Sequence, residues 1–303
     1  MRRQGRLQQR LQSGAFAVTA EVTPPLTADP AALLAKAAPL LGKVDALNVT
    51  DAAGARPALG SLAAAVLLRQ AGHDPVLQMT CRDRNRIALA GDLLGAAALG
   101  IENVLVLHGD DPKGGEFPEA PGVYDLNSRG LIGLMRQMRD EGCLPSGRAI
   151  AVPPSFFIGA ADSPHDPPPD WQPAGLLAKV EAGADFVQTQ FCFELETLRR
   201  YLARLADHDV LERLKILVGV GPLASPRQAR WMNENLFGVA VPAATLARLE
   251  AAADPKAEGR RLCVELIQGL KDTPGVAGVH IMAPQQSPAV VAQVIEEAGL
   301  DGG

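Results

Sequence analysis

The sequence predicts an α/β protein built as one (β/α)8 TIM barrel over residues 1–303. Three observations carry that reading. A short β-branched or apolar run followed by a longer Ala/Leu-rich segment recurs eight times, and the alternation of pattern marks strand and helix in turn. The strand runs hold apolar residues on both faces, so their sheet must be parallel and covered by helices all round. Eight such units in 303 residues suit one closed barrel. The competing fold, an open parallel sheet with a nucleotide at its switch point, calls for a G-x-G-x-x-G after the first strand, and none stands there.

The chain opens on MRRQGRLQQRLQSG, a basic stretch read over residues 1–13 as a short amphipathic helix or an arm, without the apolar core of a signal peptide. FAVTAEV is the first strand, with Glu21 near its end, and the helical run DPAALLAKAAPLLG follows the Pro24-Pro25 stop. VDALNVT precedes LGSLAAAVLLRQAG, PVLQMTC precedes NRIALAGDLLGAAALG, and NVLVLHG precedes SRGLIGLMRQMRDEG. The fifth strand is poorer and lies within RAIAVPPSFFIGAA, ahead of PAGLLAKVEAG. DFVQTQF leads into ELETLRRYLARLAD. KILVGVG leads into a broken segment from Ser225 to Asp254 and then EGRRLCVELIQGLKD. GVHIMA and SPAVVAQVIEEAG close the series.

Composition narrows the classes of function. The chain is 47% hydrophobic with a net charge of -5 and no basic block, which argues against nucleic acid or an anionic membrane as partner. No run approaches the roughly 18 apolar residues of a membrane span, so a cytoplasmic protein is expected. Cys81, Cys143, Cys192 and Cys263 form no Cys-x-x-Cys pair and have no histidines at ligand spacing. Buried thiols and no metal site are expected. Helix faces rich in Ala and Leu hint at a homo-oligomer, as apolar surface often does without meaning it.

Barrel active sites sit where the strands end, at the C-terminal face. The polar residues at those ends are Glu21, then Asn48, Thr50 and Asp51, then Gln78, Thr80 and Asp83. His108 and Asp110 follow the fourth strand, Gln188 and Gln190 belong to the sixth, and His280 and Gln285 to the eighth. From position alone Glu21 is either a general acid or a solvated strand end. Asp110 stands in HGDDP, where Gly109 permits a tight turn. It is either a fixed charge at the mouth or a turn former. The Gln190 amide can donate and accept toward a polar ligand edge, or be a satisfied core amide.

Taken together, the motifs resemble the 5,10-methylenetetrahydrofolate reductase family of the bacterial type, from about Gly14 to the last helix. The carriers are EVTPP for the family's Glu-x-x-Pro-Pro, NVTDAAGA for its strand-two Thr turn, MTCRDRN, and GDLLGAAALGIENVLVLHGDDP. KVEAGADFVQTQFCFE and GVGPLAS complete the set. MTCRDRN and VYDLNSRGL look most like the branch found as the reductase half of homocysteine methyltransferase fusions. The resemblance implies a folate substrate of the tetrahydrofolate type, FAD, and NADH or NADPH as reductant. It makes Glu21 the acid that protonates the departing nitrogen as the folate ring opens. Asp110 becomes the charge that stabilises the iminium formed, and Gln190 a contact to the pterin. Thr50, His108, Asp110, His165 and Lys179 fall at cofactor positions.

The chain also departs from the family pattern. His108 stands where many relatives have Arg, Gln78 where they have His, and Ala161 where a tyrosine is expected. Gln172, Gly175 and Ala178 occupy positions where acidic, amide and Arg contacts to the flavin's sugar and phosphates are expected. A weakened FAD site is therefore expected. Three readings follow: a flavin-dependent reductase, a flavin-free or corrinoid-pathway folate C1 enzyme, and a non-catalytic folate-binding subunit.

Overall fold

The computed structural model describes residues 4–300. Eight parallel strands close into a barrel in chain order, β1 to β8, with β8 pairing back onto β1. The strands are β1 (Ala17–Val22), β2 (Ala46–Val49), β3 (Pro75–Thr80), β4 (Asn103–Leu107), β5 (Phe157–Asp162), β6 (Phe186–Phe191), β7 (Lys215–Val220) and β8 (Val276–Ile281). The helices are α1 (Arg6–Gln12), α2 (Pro30–Ala37), α3 (Ser61–Gln70), α4 (Arg86–Ala98), α5 (Ser128–Arg136) and α6 (Ala174–Ala182). They continue with α7 (Leu195–Ala206), α8 (Val210–Arg213), α9 (Pro226–Asn235), α10 (Ala243–Ala251), α11 (Pro255–Lys271) and α12 (Pro288–Glu297). The barrel expected from the sequence is the fold observed. Asp29, Asn85, Asn127, Ser225, Asp254 and Ser287 cap their helices by accepting from first-turn N–H groups.

Three stretches differ in detail from the sequence reading. The fifth strand begins only at Phe157, because Pro153 and Pro154 cannot donate to a ladder. The preceding residues form an isolated antiparallel bridge between Cys143 and Ala149. The helix after β4 ends in a π-helical turn at Gln137–Glu141, stopped by Gly142 in a left-handed conformation. The broken segment after β7 resolves into α9 and α10, joined by a turn through Leu236 to Val241.

The barrel interior has two characters. Its lower part is apolar: Ala17, Ala46, Val76, Leu105, Phe157, Phe186 and Leu217 pack together, and Leu7 and Leu11 of α1 close the floor beneath them. Of the basic N-terminal stretch, residues 1–3 lie outside the described residues and Arg6–Gln12 form a helix with an apolar stripe, where each buried leucine contributes roughly 1.5–3 kcal/mol. Phe157 and Phe186 stack at 4.9 Å. Gly159 makes room for them, since a Cβ there would stand 2.4 Å from the Phe186 ring. The upper part is polar, formed by Thr19, Asn48, Gln78, Gln188 and His280, all buried. Among the described residues no helix is long and apolar enough to cross a membrane.

Candidate active site

Glu21 stands in the upper, polar part of the barrel, paired in register with Asn48. Its side chain is 25% exposed and accepts from Gln78 Nε2 at 3.0 Å, while His280 Nε2 lies 3.9 Å from the same oxygen. The other ring nitrogen of His280 is 3.0 Å from Thr19 Oγ1, which also accepts from Gln188 Nε2 at 3.1 Å. Gln188 and Asn48 exchange amide hydrogen bonds at 2.5 and 3.1 Å. A satisfied amide network of this kind holds its members in one arrangement, so the carboxylate is aimed into the mouth from a fixed base. Lys36 of α2 donates to Thr23 O at 2.7 Å. Burial lowers its pKa, and the Glu21 charge works the other way.

The loops after β2, β3 and β4 are laced together. Asp51 accepts from Ser61 Oγ, Thr80 N and Thr80 Oγ1 at 3.0, 2.8 and 2.9 Å, and it pairs with Arg84. Buried Arg82 pairs with Asp83 at 2.7 Å and donates to Ala52 O at 3.2 Å. Its pKa is raised, first by the Asp83 hydrogen bond. Asp110 is exposed and accepts from Gly54 N at 2.7 Å, which ties the β4 loop to the β2 loop. The tie holds a strained segment, since Ala52 and Ala55 both have positive φ, 48° and 54°. Gly109 turns at φ 98°, where a Cβ would come 2.7 Å from that of Arg82. Asp110 is therefore both a charge at the mouth and a clasp between loops. Thr50 is buried, and its hydroxyl has no hydrogen-bond partner among the described residues. His108 is exposed and stacks on Tyr124 at 4.6 Å.

On the opposite side, the β5–α6 loop is anchored by α7. Tyr201 donates to Asp162 and packs its ring against His165 and Trp171, each at 5.6 Å. Burial, with the Asp162 charge, raises the pKa of the Tyr201 phenol. Arg200 pairs with Asp166 in the same loop at 2.7 Å. His165 is exposed and also meets Trp171 edge-on at 5.0 Å. Lys179 donates to Ala161 O at 2.5 Å, so its ammonium caps the end of β5. Gln190 is half-buried. Its amide accepts from Phe191 N at 2.9 Å and donates to Phe237 O at 3.5 Å.

The structure thus gathers Glu21 with Gln78 and His280, Asp110 with the β2 loop, and His165 with a separate aromatic cluster beside β5. Sequence reasoning gave no role to Tyr201 or Lys36. Tyr201 sits on a buried helix face, where an aromatic reads as core. Of the four cysteines, Cys81, Cys192 and Cys263 are buried and Cys143 half-buried. Burial pushes the Cys81 thiol up to about 11. Among the described residues no group of three or more His, Cys, Asp or Glu side chains is placed to hold a metal ion.

Comparisons with known proteins bear on the family and the fold. The family model for methylenetetrahydrofolate reductase matches residues 6–299. A probable methylenetetrahydrofolate reductase (NADPH) of Caenorhabditis elegans is 26% identical over 246 residues, 78% of this chain and 34% of that protein. The 5,10-methylenetetrahydrofolate reductase of Salmonella typhimurium is 25% identical, over 63% of this chain and 57% of that protein. The matches thus span about a third to somewhat over half of the length of these curated relatives. A solved structure from Clostridium thermocellum, of a protein that binds two copies of 5-methyl-5,6,7,8-tetrahydrofolic acid, superposes with a TM-score of 0.64. The match covers 96% of this chain and 97% of that one at 12% identity, a likeness of fold. With a family model matched over nearly its whole length and the acid of the family's Glu-x-x-Pro-Pro motif set in the mouth of its barrel, the chain belongs to the methylenetetrahydrofolate reductase family.

Proposed function

We propose that this chain reduces 5,10-methylenetetrahydrofolate to 5-methyltetrahydrofolate with NADH or NADPH through bound FAD, in cytoplasmic one-carbon metabolism that feeds methionine synthesis. The observation that carries the reading is Glu21, a half-buried carboxyl held by the Gln78 amide at the mouth of a family barrel. Opening the five-membered ring breaks a carbon–nitrogen bond, and the departing nitrogen needs a proton as it leaves. Glu21 supplies that proton. Asp110 stands across the mouth as fixed negative charge beside the iminium cation left behind. Gln190 meets the pterin edge by giving up its long bond to Phe237 O. The Clostridium thermocellum protein that shares the fold and binds a methylated folate supports a folate ligand here.

The residues suit the ring end of a flavin better than its phosphate end. Thr50's orphaned hydroxyl needs a partner that the described residues do not provide, and the exposed His108–Tyr124 stack offers an aromatic face. Lys179 and His165, at the end of β5 and in the loop that follows it, would hold the sugar and phosphates. Bound FAD would relay hydride from the nicotinamide to the folate. A second reading, a flavin-free or corrinoid-linked folate enzyme, is favoured by Gln172, Gly175 and Ala178, which bring no charge to the phosphate end. Retention of both Glu21 and Asp110 speaks against a silent binding subunit.

Anaerobic incubation with 5,10-methylenetetrahydrofolate, FAD and either nicotinamide tests the function. Formation of 5-methyltetrahydrofolate is expected, and its absence with both reductants would remove the reductase reading. Asp110→Asn is expected to keep the Gly54 clasp through its amide oxygen while lowering turnover and weakening folate binding. Steady-state kinetics and a folate titration read both effects. Unchanged values would leave Asp110 the clasp role alone.

A further inference from the structure

We infer that the chain pairs with a second copy of itself through the outer faces of α2, α3 and α4. The inference does not depend on the catalytic reading. A helix on the outside of a barrel normally shows water a polar face, and α7 and α11 do so with exposed Arg199, Arg200, Glu265 and Lys271. α4 is apolar on both sides. Leu89, Leu93 and Ala96 are buried in the barrel, while Ile87, Gly91, Leu94 and Ala98 share the opposite side and are exposed, Ile87 by 79%. A helix apolar all round is ordinarily covered all round.

The same character continues across the neighbouring helices. Leu62 of α3 lies 3.9 Å from where a Cβ of Gly95 in α4 would stand, and α3 packs in turn on α2. The outward residues of α3 include Ala63, Val66 and Leu67, and those of α2 are Ala31, Ala32 and Ala35. Charges in this sector are engaged within the chain. Lys36 donates to Thr23 O, Arg86 pairs with Asp125 at 2.8 Å and Asp92 with Arg84 at 3.2 Å, and the Arg69 guanidinium lies over Gly100 at the end of α4. Covering the sector therefore strands no lone charge.

Gly91 is a separate sign of a partner. Glycine inside a helix destabilises it relative to alanine, yet a Cβ at this position would meet no described atom within 4 Å. A second helix laid across α4 gives the glycine a use, because side chains at the contact set how closely two helices approach.

The extent and neutrality of the face suit a second copy. Helices of these lengths run roughly 12–20 Å, and three abreast at about 10 Å spacing form a face of roughly 20 by 30 Å. With side-chain relief added, that is comparable to the roughly 800 Å² per partner of a stable interface. A two-fold axis through the patch sets it against itself, and homodimer interfaces are the apolar kind. Two α4 helices crossing antiparallel about Gly91 and Leu94 set Ile87 of each copy against Ala98 of the other, and Gly91 against Leu94. Large side chains then meet small ones, and both barrel mouths stay open because the face runs along the barrel's side.

Sedimentation equilibrium of the full chain over nanomolar to micromolar concentrations tests the pairing. Wild type should sediment at twice the chain mass and Leu94→Glu at the chain mass with unchanged circular dichroism. Gly91→Ala should raise the dissociation constant about tenfold. On an uncovered helix Gly91→Ala would instead raise the melting temperature and leave the mass alone, and that result overturns the pairing. So does a wild type that stays a single chain, or a dimer that Leu94→Glu leaves intact. Should Leu94→Glu not fold, Gly91→Cys decides. A short bis-maleimide should join its chains in pairs and leave Ala203→Cys, on the exposed side of α7, unjoined. Equal joining of the two variants, or none, overturns the assignment.

Discussion

Glu21→Gln should lower methylenetetrahydrofolate reduction by roughly a hundredfold or more, the usual worth of a general acid, while folding and folate binding stay nearly intact. The substitution keeps the shape of the side chain. Its amide oxygen still accepts from Gln78 Nε2, so the polar network of Thr19, Asn48, Gln188 and His280 loses no hydrogen-bond acceptor. On the proposed mechanism, what disappears is the proton that the departing nitrogen needs. Reduction of bound FAD by NAD(P)H would use no such proton and should persist, so stopped-flow measurement of the two half-reactions separates the roles. Wild-type-like turnover of the variant would remove Glu21 from the mechanism.

FAD should bind, but by orders of magnitude more weakly than in relatives with the full set of charged contacts. Gln172, Gly175 and Ala178 stand where those contacts are expected, and each charge-assisted hydrogen bond is worth roughly 1.5–3 kcal/mol, so two losses already exceed a hundredfold in affinity. Lys179 replaces little of this, because its ammonium already donates to Ala161 O at 2.5 Å. Thr50's unpartnered hydroxyl and the His108–Tyr124 stack remain for the ring. Protein purified without added FAD should therefore be partly apo and regain activity on titration. Flavin fluorescence reads the binding curve. No saturable binding at high micromolar FAD, with reduction still running on NAD(P)H, would favour direct hydride transfer to the folate.

The strand and helix pattern was legible because each βα unit repeats one local rule, an apolar two-sided run and then an Ala/Leu-rich helix. Glu21 and Asp110 were legible as candidates for a related reason. In a barrel, a polar residue at the end of an apolar strand has one place to go, the C-terminal face. Local rules failed where proline removed ladder donors ahead of Phe157. They failed again at the floor, where the basic stretch read as a short amphipathic helix or an arm, with no sign that a barrel bottom would receive its Leu7 and Leu11.

By itself the sequence determined the barrel and the ring of polar residues at the strand ends, since each follows from spacing within a few residues, and the order of its motifs along the chain carried the resemblance to the family. The tertiary structure alone decided which of those residues meet. Asp110 clasps Gly54 across 56 positions, Gln78 holds Glu21 across 57, and Tyr201 anchors Asp162 across 39. Glu21 and His280 approach only because β8 closes onto β1. Such pairings depend on register and closure, which arise from packing the whole sheet at once and leave no periodic trace along the chain.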